Sequence, residues 1–155
     1  MTATNHALTG TAIGLLVGIP IVALPAAFAS HFILDSLPHY GAKDRDKAIK
    51  SKGFKRYLIV EATLCFMIVA ALFLIRPEHW LLASICAFLA ASPDLYWIRK
   101  YKAALKNTKY KPDWFAKFAS NIQWFQRPIG AIVEVAWFAA TLTILIPLIK
   151  TLAKS

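Results

Sequence analysis

Apolar residues run along this chain in long blocks, and the polar residues collect between them. A transmembrane helix needs roughly 17 to 25 predominantly apolar residues. Three blocks meet that length directly: about Tyr57 to Ile75, Trp80 to Ile98 and Ile129 to Ile149, each bounded by charge or proline. The first block, Ala3 to Leu37, is too long for one ordinary span and carries Gly18, Pro20 and Pro25 near its middle. Glycine and proline punctuate helices, so this block reads as a hairpin of two short helices turning around Gly18 to Pro20. The pattern predicts an all-α integral membrane protein of one domain, a bundle of about five transmembrane helices over residues 4–18, 21–37, 57–75, 80–98 and 129–149.

The segment KPDWFAKFASNIQWFQRP follows a different rule. Trp114, Phe115, Phe118, Ile122 and Phe125 recur at near-helical spacing among Lys117, Gln123 and Arg127. That is the pattern of an amphipathic helix lying along a membrane interface, or of a polar-capped helix packed over the mouth of the bundle. Trp80, Trp97, Tyr57 and Tyr96 fall at span ends, where aromatic belts are normal, and no catalytic role is expected of them.

Composition agrees with the pattern. The 155 residues are 58% hydrophobic and 17% charged, with mean hydropathy +0.53, too oily for a soluble domain. A net charge of +10 would suggest nucleic acid in a soluble protein. Here the Lys and Arg residues lie between apolar blocks, where they set topology and draw the anionic headgroups of membrane lipid, so no nucleic-acid partner is expected. The loops 39–56 and 99–127 hold fifteen of the eighteen Lys and Arg residues, leaving Arg76, Lys150 and Lys154 for the other side. Cytoplasmic loops are the basic ones, which predicts a cytoplasmic (inner) membrane protein with its N-terminus inside and its C-terminus outside. LPAAFAS is faintly like a signal-peptidase site, but no basic region precedes the first apolar block, and residues 1–38 are expected to be retained. Cys65 and Cys86 lie inside apolar blocks without C-x-x-C spacing and read as packing residues.

Seven side chains interrupt the oily background: His6, His31, Asp35, His39, Glu61, Asp94 and Glu134. At about 1.5 Å of rise per residue, nearly all fall roughly within 11 Å of the cytoplasmic end of their spans. His31, Asp35 and His39 are spaced i, i+4, i+8, one face of a helix, although Pro38 can end that helix before His39. Charge inside a bilayer costs ~2.5–3.5 kcal/mol per residue at the centre, and no Lys or Arg lies within the spans to neutralise these carboxylates. A divalent cation held by His and Asp would neutralise them. The expected metal ligands are His6, His31 and Asp35, with His39 or Asp94 completing the set, and zinc suits the mixture. Glu61, or Asp94 where it is not a ligand, is the candidate catalytic base.

Plainer readings stand beside these. Glu134 can be a neutral packing residue, Asp94 after Ser92 and Pro93 can mark a helix bend, and Thr4 or Asn5 can simply cap the helix that His6 opens. Glu78 and His79 read as solvated turn residues. Gly10 and Gly14, at GxxxG spacing, permit close helix contact, either inside the hairpin or with a second copy in a homodimer.

SHFILDSLPHYG, Ser30 to Gly41, resembles the GH-hydrophobic-LLD motif of the membrane-bound metal-dependent hydrolases related to the LexA-regulated inner-membrane protein. NHALTGTAIG, Asn5 to Gly14, is similar to their N-terminal TH-xxx-G element, and SPDLYW, Ser92 to Trp97, to their LPDID element. The PD element follows the His-xxx-Asp helix here instead of preceding it, and Tyr96 stands at its second acidic position. The resemblance implies that His6, His31, Asp35 and Asp94 are metal ligands or their partners. It points to a metal-dependent hydrolase acting on a lipid or another amphiphile at the cytoplasmic face. A non-enzymatic membrane scaffold and a small cation- or proton-translocating protein are the competing classes. Translocation requires polar residues at several depths, whereas these cluster at one end.

Overall fold

The computed structural model describes residues 1–42 and 45–153. Lys43 and Lys154, counted in the topology argument above, lie outside the described residues. The described residues are helical throughout, with one isolated bridge between His39 and Gln126 and no strand.

Thr2 caps α1 (Ala3–Val17): its hydroxyl accepts from the Asn5 amide at 3.3 Å. The cap is therefore Thr2, and Thr4 and Asn5 are free for other contacts. Gly18, at φ 65°, closes α1 in the left-handed region, and Pro20 opens α2 (Pro20–Ser36), which gives the hairpin its turn. Leu37 is extended ahead of Pro38, so α2 stops at Ser36. The helical row of His31, Asp35 and His39 consequently ends at Asp35.

A short α3 (Arg45–Ile49), which the sequence pattern did not predict, sits in the first basic loop. Ser51 then caps α4 (Lys52–Ile75), which starts earlier than the expected Tyr57 because Lys and Arg stems extend an apolar helix while their charges stay in water. The expected span 80–98 is not one α-helix. It consists of α5 (Trp80–Ala91), a 3-10 turn over Ser92–Tyr96, and α6 (Trp97–Leu105). Pro93 brings no amide hydrogen to an α-helical bond, and the tighter turn absorbs the defect. Asp113 caps the amphipathic α7 (Trp114–Ile122), and α8 (Gly130–Leu152) completes the fold.

Three helical runs, Lys52–Ile75, Trp80–Leu105 and Gly130–Leu152, are long and apolar enough to cross a membrane; α2 is a shorter apolar helix. Their outward faces carry large apolar side chains, with Phe66 and Leu74 of α4 73% and 79% exposed, the surface that lipid and not water would cover. α1 lies inside and packs against α2, α4, α5 and α8. Small residues make this possible: Gly10 and Gly14 of α1, Ala23 and Ala27 of α2, and Ala83, Cys86, Ala87 and Ala90 of α5 meet in one seam. The GxxxG face of α1 is thus covered by α5, neither by its hairpin partner nor by another copy. Leu8, Leu15, Leu72 and Leu145 extend the core toward the far end from the hairpin's polar residues.

The loop after α2 is held against the start of α8. Arg127 donates its amide to His39 O at 3.0 Å, Gly41 donates to Arg127 O at 3.3 Å, and a Cβ on Gly130 would lie 2.2 Å from the His39 carbonyl. Gly130→Ala is expected to destabilise the fold by about 1–3 kcal/mol. Thermal unfolding followed by circular dichroism in detergent should show the midpoint fall by several degrees, and an unchanged midpoint would exclude this close approach.

Candidate metal centre

The small-residue seam continues into the polar cluster. His6 lies one turn before Gly10 on α1, His31 one turn after Ala27 on α2, and Asp94 four residues after Ala90, in the 3-10 turn that follows α5. Close packing of the three helices therefore brings their next residues together. His6, His31, Asp35 and Asp94 each offer one ligand atom, and these atoms all lie within 4.8 Å of one another.

Asp35 is the hub. Its Oδ1 is 3.2 Å from His6 Nε2 and its Oδ2 is 3.3 Å from His31 Nε2. The Gln123 side-chain amide donates to Oδ2 at 2.7 Å, and the Met1 ammonium lies against Oδ1. Gln126 donates to Gln123 Oε1 at 2.9 Å, which turns the Gln123 amino group toward Asp35. The two imidazoles stack with ring centroids 4.0 Å apart. Asp94 Oδ2 stands 3.9 Å from His6 Nε2.

Donor and acceptor bookkeeping shows what this arrangement asks for. His31 Nδ1 is 2.8 Å from Ala90 O, and a carbonyl cannot donate, so Nδ1 carries the hydrogen. Nε2 then presents a lone pair to a carboxylate oxygen that also cannot donate. A positive charge must stand between the two, either a proton or a metal ion. Backbone anchoring of one ring nitrogen, leaving the other to ligate, is the usual arrangement of a metal-binding histidine. His6 Nδ1 is fully buried without a hydrogen-bond partner. A tetrahedral zinc site with bonds of ~2.1 Å sets its ligand atoms ~3.4 Å apart. Each His–Asp35 separation is close to that edge, with the two imidazoles meeting different oxygens of the carboxylate, Oδ1 and Oδ2. Two imidazoles and two carboxylates, three of the four side chains buried, are a donor set that could hold a divalent cation, which would displace the Met1 ammonium now standing against Asp35.

The other expected residues lie close by but outside this group. His39 is buried, and its Nδ1–H donates to Leu37 O at 2.8 Å. Glu61 Oε2 accepts from both the amide and the hydroxyl of Thr4, each at 2.8 Å, and so holds the first turn of α1. Asn5 of α1 donates to the Glu134 carbonyl at 3.1 Å, and Trp137 donates to Thr9 at 3.0 Å, fixing α8 to α1. His39, Glu61, Asp94 and Glu134 all line a cavity of about 470 Å³. Its remaining wall is mostly apolar, with Ile49, Phe54, Tyr57 and Leu58. A second cavity of about 290 Å³ lies between α6 and α7 and reaches His31 and Asp94. Glu78 and His79 are exposed in the far turn, as expected, where His79 packs against Gly18.

Gln123 and the Met1 amino group are the two members that the sequence pattern missed. Gln123 read only as a polar position of an amphipathic helix, and nothing in its spacing points to Asp35. Its bond, with Phe32 of α2 packing on Phe115 and Phe118, ties α7 to the bundle. Gln123→Ala is expected to speed amide exchange in α7 at least tenfold while leaving α1 and α2 protected. Equal exchange in the two proteins would show that this tie contributes nothing.

Comparisons with protein-family models, with curated proteins and with solved structures find no match for this chain.

Proposed function

We propose that this chain is a metal-dependent membrane hydrolase that acts on a lipid or another amphiphile at the cytoplasmic face. The observation that carries the reading is the convergence of His6, His31, Asp35 and Asp94 beside two cavities, one of them largely apolar, with Asp94 lining both and His31 the smaller. The excess of Lys and Arg in the two loops at this end of the bundle supports the cytoplasmic orientation.

His6, His31 and Asp35 would hold the cation, with zinc as the best match to two imidazoles and a carboxylate. When bound, zinc would polarise a substrate oxygen and bring the pKa of water toward neutrality. The protein's own groups do the rest. The His31–Ala90 bond fixes the imidazole so that Nε2 faces Asp35. Asp94 is 22% exposed, lines both cavities and is placed to accept a proton at Oδ2 from an attacking water. Phe54, Tyr57 and Leu58 offer an apolar wall along which the substrate's hydrocarbon can lie.

The test uses the full chain in neutral detergent, stripped of metal and reloaded with zinc. The probes are two chromogenic amphiphiles, p-nitrophenyl dodecanoate and dodecyl p-nitrophenyl phosphate. Zinc-dependent nitrophenolate release from at least one is expected. Asp94→Asn should lower kcat by about 10²–10⁴-fold with little change in KM or zinc content. No zinc-dependent release from either probe would reject the hydrolase reading.

A further inference from the structure

The two cavities differ in charge. Among the described residues lining the larger one are the carboxylates of Glu61, Asp94 and Glu134 and no Lys or Arg; Met1, whose ammonium is paired with Asp35, lines it as well. The smaller one is lined by Lys100 of α6 and Lys117 of α7, with Asp94 as its carboxylate. Tyr110, Ser120 and Asn121 add hydroxyl and amide donors to the same wall. An anion is therefore repelled by the first cavity and attracted by the second. The smaller volume, about 290 Å³, holds roughly ten waters' worth of space, enough for a phosphate group and part of its hydration. Two ammonium groups and several neutral donors suit a group that presents three acceptor oxygens.

The cavities also adjoin each other. Asp94, Trp97 and Gln123 line both. A molecule with a charged end and an oily end that spans both lies in one direction only, with its middle beside Asp94 and Trp97.

We propose that the cavity between α6 and α7 is a phosphate subsite, and that the ligand is a phosphate-bearing amphiphile whose hydrocarbon lies in the larger cavity. This rests on the hydrolase reading only for what happens to the ligand afterwards; binding stands on the charge and the adjacency of the cavities. Lys100 also lies 4.8 Å from the Trp97 ring, which holds its ammonium at the junction.

Isothermal titration of the metal-free full chain in neutral detergent tests the assignment without turnover. Three probes are used: dodecyl phosphate, inorganic phosphate and the uncharged 1-dodecylglycerol. Dodecyl phosphate is expected to bind at least tenfold more tightly than either of the others. K100Q/K117Q should remove its advantage over dodecylglycerol, while K102Q/K106Q, which deletes the same charge outside the cavity, should keep it. Equal losses in the two variants would reduce the effect to general surface charge and overturn the subsite. Inorganic phosphate binding as tightly as dodecyl phosphate would assign the cavity to free phosphate and overturn the amphiphile. The two readings also fail separately. Selective dodecyl phosphate binding without hydrolysis of either chromogenic probe removes the hydrolase and keeps the subsite. Zinc-dependent cleavage of the neutral dodecanoate without phosphate binding does the reverse.

Discussion

Asp35→Asn is expected to fold, to keep its helicity and to lose its metal. Four polar groups meet at this carboxylate: the Met1 ammonium, His6 Nε2, His31 Nε2 and the Gln123 amide. Asparagine has the same shape and keeps one oxygen to accept from Gln123. It removes the negative charge, and its amino group can donate to an imidazole lone pair that would otherwise face a cation. Changes to groups that only touch a metal ligand typically weaken binding 10–100-fold. Loss of an anionic ligand should exceed that, so zinc affinity is expected to fall more than 100-fold. Elemental analysis of the detergent-purified protein after dialysis against buffered zinc, beside circular dichroism, reads both quantities. If the cluster only packs the bundle, the outcome is different: neither protein holds zinc, and the variant unfolds earlier because a buried polar network has been broken. Equal zinc in wild type and Asp35→Asn would remove Asp35 from the site.

The elements were legible where the rule was local. Blocks of apolar residues located α4 and α8, glycine and proline located the hairpin turn, and near-helical spacing of Trp114, Phe118 and Ile122 located α7. His31 and Asp35 were placed on one face by their spacing alone, and their observed separation agrees. What the pattern did not give were relations between elements. Apolar periodicity in the block from Trp80 to Ile98 carries no sign of the 3-10 turn except Pro93, which an α-helix can also tolerate with a kink. Gly10 and Gly14 signal close approach without naming the partner, which is α5. A better signal was present and lies in the four-residue spacing of small residues beside each member of the cluster. His6 shares a face with Gly10 and Gly14, His31 with Ala23 and Ala27, and Asp94 follows Cys86 and Ala90 at the same interval. Three ladders of small residues, each ending in a His or Asp of the cluster, place those residues at one meeting point once the helices touch. Gln123 has no such ladder, and only the packing of Phe32 on α7 brings it in.

The same ladders make the site's geometry depend on glycine, and Gly10→Ala is the sharpest test. A Cβ there would sit 2.3 Å from Cys86 O and 2.8 Å from Ala90 Cβ; at Gly14 it would sit 2.4 Å from Ala83 Cα. These are backbone atoms and a methyl group with no rotamer to change, so α1 and α5 must part. Overpacking of this kind costs about 1–3 kcal/mol and sometimes more. For a chain of this length each kcal/mol lowers the thermal midpoint by about 2–4 °C. The second consequence is specific to the site. Moving α1 away from α5 shifts His6 relative to His31 and Asp35, which stay together on α2. Gly10→Ala should therefore weaken zinc binding at temperatures where the variant is still fully helical, which an effect on stability alone would not do. Leu16→Ala supplies the comparison, since Leu16 is on the same helix but 62% exposed and away from α5. If Gly10→Ala melts with Leu16→Ala and holds zinc as well, the seam does not set the position of His6. If it melts earlier and also loses zinc while folded, one small-residue interface accounts for both the packing of the bundle and the assembly of its metal centre.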